Sequence, residues 1–136
     1  MLFRRKRTIR DVEILLRRAY AKALAAERLL YDRRLRMRIV ISTAMAGLPL
    51  SGDFFSGLYS SDAYSDVRKA LKIARELLER AEERERGALE SLCEVLERAR
   101  RNMHPSDLKS LIVEALSSIG SSDAASDARG GVTSAH

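Results

Sequence analysis

Apolar residues recur at alternating steps of three and four from Ile9 through Val12, Leu16, Ala19, Ala23, Ala26, Leu30, Met37, Val40 and Ala44, with only Arg33 interrupting the row. That spacing keeps one face of a 3.6-residue helix apolar. Thr8, followed three residues on by Asp11, supplies a capping-box start. The pattern predicts one helix over residues 9–46, roughly 55 Å long at about 1.5 Å per residue. A second apolar row, Ile14, Ala21, Leu24, Tyr31, Leu35 and Ile39, lies away from the first. One antiparallel partner covers only one row. Ile14, Leu24 and Leu35 are therefore candidates for self-association or for contact with a further helix.

Residues 47–61 break the periodicity with Gly47, Pro49, Gly52 and Gly57 and read as a loop. This segment also carries Leu48, Leu50, Phe54, Phe55, Leu58 and Tyr59. It is either a plug over the end of a hairpin or a docking tip in which Phe54 and Phe55 meet a membrane or partner. Val67, Leu71, Ala74, Leu78, Ala81, Ala88, Leu92, Val95 and Ala99 predict a second long helix over 62–103, with Gly87 as a point of bending or splitting. The charged run 79–86 inside it reads as a solvated segment held by pairs such as Glu76–Arg80 and Glu82–Arg86. Pro105 ends that helix. Leu108, Leu111, Ile112, Ala115, Leu116 and Ile119 predict a short one over 106–119, with Gly120 as its C-cap. Residues 120–136, rich in Ser, Ala, Gly and Asp, have little to bury and read as a disordered tail. The fold expected is all-α, a long antiparallel helical hairpin with a short third helix. It forms a single domain over 1–119 with a basic arm at 1–8. Leu16, Leu30, Leu71, Leu78, Leu92 and Val95 should line its core.

Charge changes the picture because it is unevenly spread. Residues 1–50 hold 13 Lys/Arg against 4 Asp/Glu, whereas residues 51–136 hold 12 against 15. The basic first part points to an anionic partner: nucleic acid, acidic lipid or an acidic helix. Arg4, Arg5, Lys6, Arg7, Arg10, Arg17 and Arg18 are the candidate anion-binding residues. Leu2 and Phe3 beside the arm are candidates for membrane or partner contact. No segment is long and apolar enough to span a bilayer, and the start lacks the apolar stretch of a secretory signal. The expected location is the cytoplasm or the periphery of a membrane.

Chemistry is sparse. The single cysteine, Cys93, leaves no intrachain disulfide and reads as a small buried helix residue. His136 is terminal and His104 abuts Pro105, so no metal pair of His and Cys is formed. Glu90, Glu94 and Glu97 share one helix face and read as a solvated ladder offset by Arg98 and Arg101. The glycines of 47–57 lack the Gly-Lys-Ser/Thr ending of a phosphate loop. Without a nucleophile, base and orienting group, the expectation is a non-enzymatic protein with no cofactor, no metal and no small-molecule substrate.

The stretch Leu58-Tyr59-Ser60-Ser61-Asp62-Ala63-Tyr64-Ser65-Asp66-Val67-Arg68-Lys69-Ala70-Leu71-Lys72-Ile73 resembles the second helix of archaeal ESCRT-III-like division proteins. It shares a Tyr near the helix start, then an acidic residue, an aliphatic, Arg-Lys, and a further Lys three residues on. The basic opening Leu2-Phe3-Arg4-Arg5-Lys6-Arg7 and a cationic helix preceding an acidic one resemble that family too. The resemblance implies a self-associating scaffold that binds an anionic membrane surface and remodels it during division. Two other classes fit the composition. One is a nucleic-acid-binding structural protein of chromatin, a virion or a ribonucleoprotein. The other is a docking subunit held by a helical partner.

Overall fold

The computed structural model describes residues 7–129, with side chains through Gly120. Leu2, Phe3, Arg4, Arg5 and Lys6 lie outside the described residues. Five α-helices and no strand occur among the described residues: α1 (Ile9–Tyr31), α2 (Arg33–Met45), α3 (Gly52–Glu79), α4 (Glu83–Glu97) and α5 (Pro105–Arg129). The first starts where the capping box places it, with the Asp11 carboxylate accepting from the Thr8 backbone N–H at 2.7 Å.

Several boundaries differ from the sequence expectation, three of them for a local reason. The helix expected over 9–46 breaks at Asp32, whose backbone is extended (φ −81°, ψ 106°). The Asp32 carboxylate accepts from the Leu35 backbone N–H at 3.1 Å and so starts α2. The segment 47–61 is mostly helix, because α3 begins at Gly52 behind a Ser51 cap. Gly52 and Ser56 act there as small residues that let α3 approach α1 closely, not as helix breakers. A Cβ on Gly52 would lie 2.6 Å from the Leu29 carbonyl oxygen, and Ser56 Oγ donates to the Ala26 carbonyl at 2.8 Å. The helix expected over 62–103 divides at residues 80–82, not at Gly87, which sits inside α4 with open space around it. The break falls in the run of charges, where the chain has almost nothing to bury. Arg86 there donates to the Leu78 carbonyl, and Glu82 pairs with Arg84 at 3.8 Å.

The outcome is a ring of four helices instead of one long hairpin. Lys22 meets Asp66, Ala26 meets Ser56 and Leu29 meets Gly52, so α1 and α3 run antiparallel. Arg75 pairs with Glu97 at 3.1 Å and Arg101 lies 5.8 Å from the Tyr64 ring centroid, which makes α3 and α4 antiparallel. Glu27 meets Lys109 and Tyr31 meets His104, so α5 returns along α1. Neighbours α4 and α5 complete the ring, and Arg98 of the α4 end pairs with Glu114. The backbone of α5 continues past Gly120, where its end was expected, to Arg129; residues 130–136 of the tail lie outside the described residues.

One apolar core fills this ring. Leu16, Leu71, Leu92, Leu96, Leu108 and Ile112 are its largest fully enclosed side chains, each contributing about 1.5–3 kcal/mol by leaving water. Val95 is buried as expected, while Leu30 and Leu78 are only half-buried because Leu29 and Ala74 turn inward beside them. The α1–α3 side of the core is built from small residues: Ala19, Ala23 and Ala26 against Gly52, Ser56, Ala63 and Ala70. Cys93 is buried, and that burial pushes its thiol up, so it stays protonated as a packing residue.

At one end of the ring Glu27 accepts from Lys109 Nζ and Ser106 Oγ, both at 2.6 Å. The Lys109 and Ser106 hydrogen bonds hold the Glu27 carboxyl below its usual range, and the Glu27 bond holds the Lys109 ammonium above its own. The signs follow directly. The depressed Glu27 stabilises the fold above the ordinary carboxylate range and loses this as pH falls through its folded value. The raised Lys109 stabilises it below the ordinary lysine range and loses this as pH rises through its folded value. Glu27→Gln should therefore lower thermal stability at neutral pH and flatten the acid limb of a melting-temperature profile. An unchanged acid limb would show that the pair adds nothing.

Candidate surface-binding site

The helix α2 is the one element of the described chain that buries no residue. Its position is set from both ends. Arg36 Nη1 donates to the Leu29 carbonyl at 2.7 Å and pairs with Asp53 at 3.0 Å, tying α2 to the end of α1 and the start of α3. At the far end Leu48 N–H bonds to the Thr43 carbonyl and Gly47 N–H to the Ala44 carbonyl. Gly47 has φ +83°. This is a Schellman stop, in which glycine takes the left-handed conformation. Thr43 Oγ1 then accepts from the Leu50 N–H at 2.9 Å, which closes the turn.

These ties leave one face of α2 inward and one outward. Leu35, Arg36, Ile39 and Thr43 are half-buried. Met37, Val40, Ile41 and Met45 face solvent, Met37 at 61% and Met45 at 85% exposure. Arg33, Arg34 and Arg38 are exposed beside them, and α2 contains no acidic residue. The neighbouring Leu48, Phe54, Leu58 and Tyr59 are exposed as well, and Phe54 meets Phe55 edge to face with ring centroids 5.2 Å apart. The outward side of α2 therefore carries apolar side chains interspersed with three cations that form no ion pair among the described residues. Among the described residues no helix is long and apolar enough to cross a membrane.

Of the residues expected to bind or associate, Arg10, Arg17 and Arg18 are exposed on α1 and Arg7 is exposed just before it, with Arg17 paired to Glu13 at 3.0 Å. Ile14 is 45% exposed, and Leu24 and Leu35 are half-buried. Phe54 is exposed and Phe55 half-buried, both on α3 and not in a loop. The outward row of α2 was missed because Met37, Val40 and Ala44 continue the α1 seam in sequence. The signal that distinguishes them is Asp32, a helix-starting residue, followed by Arg33, Arg34, Arg36 and Arg38 where a buried helix would not place four cations.

The polar cluster at the α1–α5 end offers little chemistry. The Ser106 backbone N–H donates to His104 Nδ1 at 3.1 Å, so a neutral ring carries its proton on Nε2 and gives it to the Tyr31 oxygen at 2.9 Å. Both ring nitrogens are engaged, and Ser106 Oγ donates to Glu27, not to a base aimed at substrate. In the Glu90–Glu97 ladder Glu97 takes Arg75 as its partner, while Arg98 turns to Glu114 and Arg101 to Tyr64. Among the described residues no group of three or more His, Cys, Asp or Glu is placed to hold a metal ion. No family model, curated protein or solved structure matches the chain.

Proposed function

We propose that this protein is a non-enzymatic, self-associating helical scaffold that binds an anionic membrane surface, with α2 as the element laid into the interface. The observation that carries this reading is the outward apolar row of α2 with Arg33, Arg34 and Arg38 beside it and no acidic residue to offset them. Met37, Val40, Ile41 and Met45 enter the headgroup boundary, while the arginine stems lie along it and their guanidinium groups meet lipid phosphates. The basic arm Arg4–Arg7 adds cations to the same attraction. Self-association uses Ile14 together with whatever part of α2 is left free of lipid. The resemblance of Leu58–Ile73 to archaeal ESCRT-III-like proteins supports the same reading.

Each cation near an acidic bilayer is worth about 1 kcal/mol, so three arginines favour acidic over neutral vesicles by roughly a hundredfold. Co-sedimentation with phosphatidylserine-containing and purely zwitterionic vesicles tests this. Binding should follow acidic lipid and weaken in high salt. Equal recovery in the supernatant with both vesicle types at low salt would end the reading.

A further inference from the structure

A second basic surface, of different composition, lies along the outer side of the α1–α3 junction. Lys22 and Asp66 fix the register there at 2.9 Å, with the Asp66 side chain 3% exposed. Four residues back along α1 is Arg18, and three residues on along α3 is Lys69. Because the helices are antiparallel, both steps lead the same way from the ion pair. Arg68 and Lys72 continue the surface on α3, beside an open groove that also includes Ser65 and Arg75 and that ends at Glu76 and Glu79. Arg18, Arg68, Lys69 and Lys72 are exposed, and none forms an ion pair among the described residues.

The sequence accounts for this surplus. No acidic residue occurs from Ile14 to Ala26 on α1 or from Val67 to Arg75 on α3. Just outside these limits on α3, Asp66 is buried and already used by Lys22, while Asp62, Glu76 and Glu79 also lie outside them along the helix. Outside this surface and α2, several cations are offset: Arg17 by Glu13, Arg75 by Glu97, Lys109 by Glu27. The surface also differs from α2 in lacking apolar groups. No large apolar side chain is exposed on α3 beyond Tyr59, nor on α1 between Ile14 and Tyr31. Without exposed apolar groups the surface gains nothing from insertion into a bilayer and is left with charge neutralisation, which a duplex offers at one phosphate per roughly 1.7 Å of its axis. Arg68 and Lys72 are about 6 Å apart along the helix axis.

We propose that Arg18, Arg68, Lys69 and Lys72 form a binding site for the phosphate backbone of duplex nucleic acid, read without regard to base sequence. The site is separate from α2 and does not depend on the membrane reading. Four phosphates neutralised give a dependence of log affinity on log salt of about −0.9 each. The test is fluorescence anisotropy of the full chain with a random-sequence DNA duplex across a salt series. Changing Arg18→Gln, Arg68→Gln, Lys69→Gln and Lys72→Gln together should make the slope shallower by about 3.6. For the share of binding that these four carry, that slope amounts to about a hundredfold between roughly 50 and 200 mM salt. Binding of the same variant to acidic vesicles should be largely retained. A charge-preserving set, Arg18→Lys, Arg68→Lys, Lys69→Arg and Lys72→Arg, should keep the wild-type slope, and circular dichroism should show equal helicity in both sets. The proposal is overturned if the wild-type chain does not bind the duplex at low salt, or if the glutamine set keeps the wild-type slope. It is equally overturned if that set loses vesicle binding and not duplex binding, since the surface would then serve the bilayer.

Discussion

Ile41→Glu combined with Met45→Glu is expected to weaken binding to acidic vesicles by more than about a thousandfold. Two apolar side chains leave the interface, each worth at least about 1.5 kcal/mol. Two new anions meet acidic headgroups at about 1 kcal/mol apiece. The sum is roughly 5 kcal/mol, or between three and four decades of affinity. The fold should be unaffected, because both residues face solvent and α2 contributes no buried side chain. Surface changes of this kind shift stability by about 0.5 kcal/mol or less. Vesicle titration and a thermal melt on one preparation read both quantities. Undiminished vesicle binding would remove α2 from the interface and leave the arm and the α1 arginines to account for it.

Gly52→Ala should be the most damaging single methyl group in the described chain. The new Cβ would sit 2.6 Å from the Leu29 carbonyl oxygen and 3.2 Å from Arg36 Cγ. A backbone oxygen cannot rotate aside, so α3 must move away from α1 as a body. Overpacking of this kind costs about 1–3 kcal/mol. The upper end applies here, because the shift also disturbs the Arg36 ties to Leu29 and Asp53. For a chain of this size about 3 kcal/mol lowers the melting temperature by roughly 10 °C. Gly57→Ala and Gly87→Ala are the controls. Both positions are helical with nothing within 4 Å of the added atom. Each should gain several tenths of a kcal/mol, up to about 1, from helix propensity. Equal losses at all three sites would refute the close-approach explanation.

The all-helical character could be read from the sequence because it rests on periodicity, and Leu16, Leu71, Leu92 and Val95 fall inside as the pattern requires. The start of α1 could be read for the same reason, since Thr8 and Asp11 act within a few residues of each other. What could not be read depends on distant partners. The three-four seam resumes beyond Asp32 with only Arg33 interrupting it, and the break there is held by Arg36 reaching back to Leu29 and across to Asp53. Glycine and serine between 47 and 61 look like loop residues until α1 is placed beside them. Gly52 and Ser56 are then the residues that fit. The surplus of cations in the first 50 residues was visible in the sequence. The exposed apolar residues that accompany it on α2 were not, because burial decides which apolar residues remain outside.

The small-residue seam between α1 and α3 separates two mechanical roles that larger side chains would combine. Alanine and glycine surfaces present low ridges, so the two helices meet almost as smooth rods. Such contact resists pulling apart strongly and resists axial sliding weakly, since few knobs must climb out of holes. Axial position is left to two pegs, the Lys22–Asp66 pair and the Ser56 hydroxyl on the Ala26 carbonyl. Adhesion is therefore apolar and alignment polar. Because Arg36 ties α2 to both rods near the Gly52 end, any slip along the seam would be transmitted to α2 as a change of its angle to the other helices.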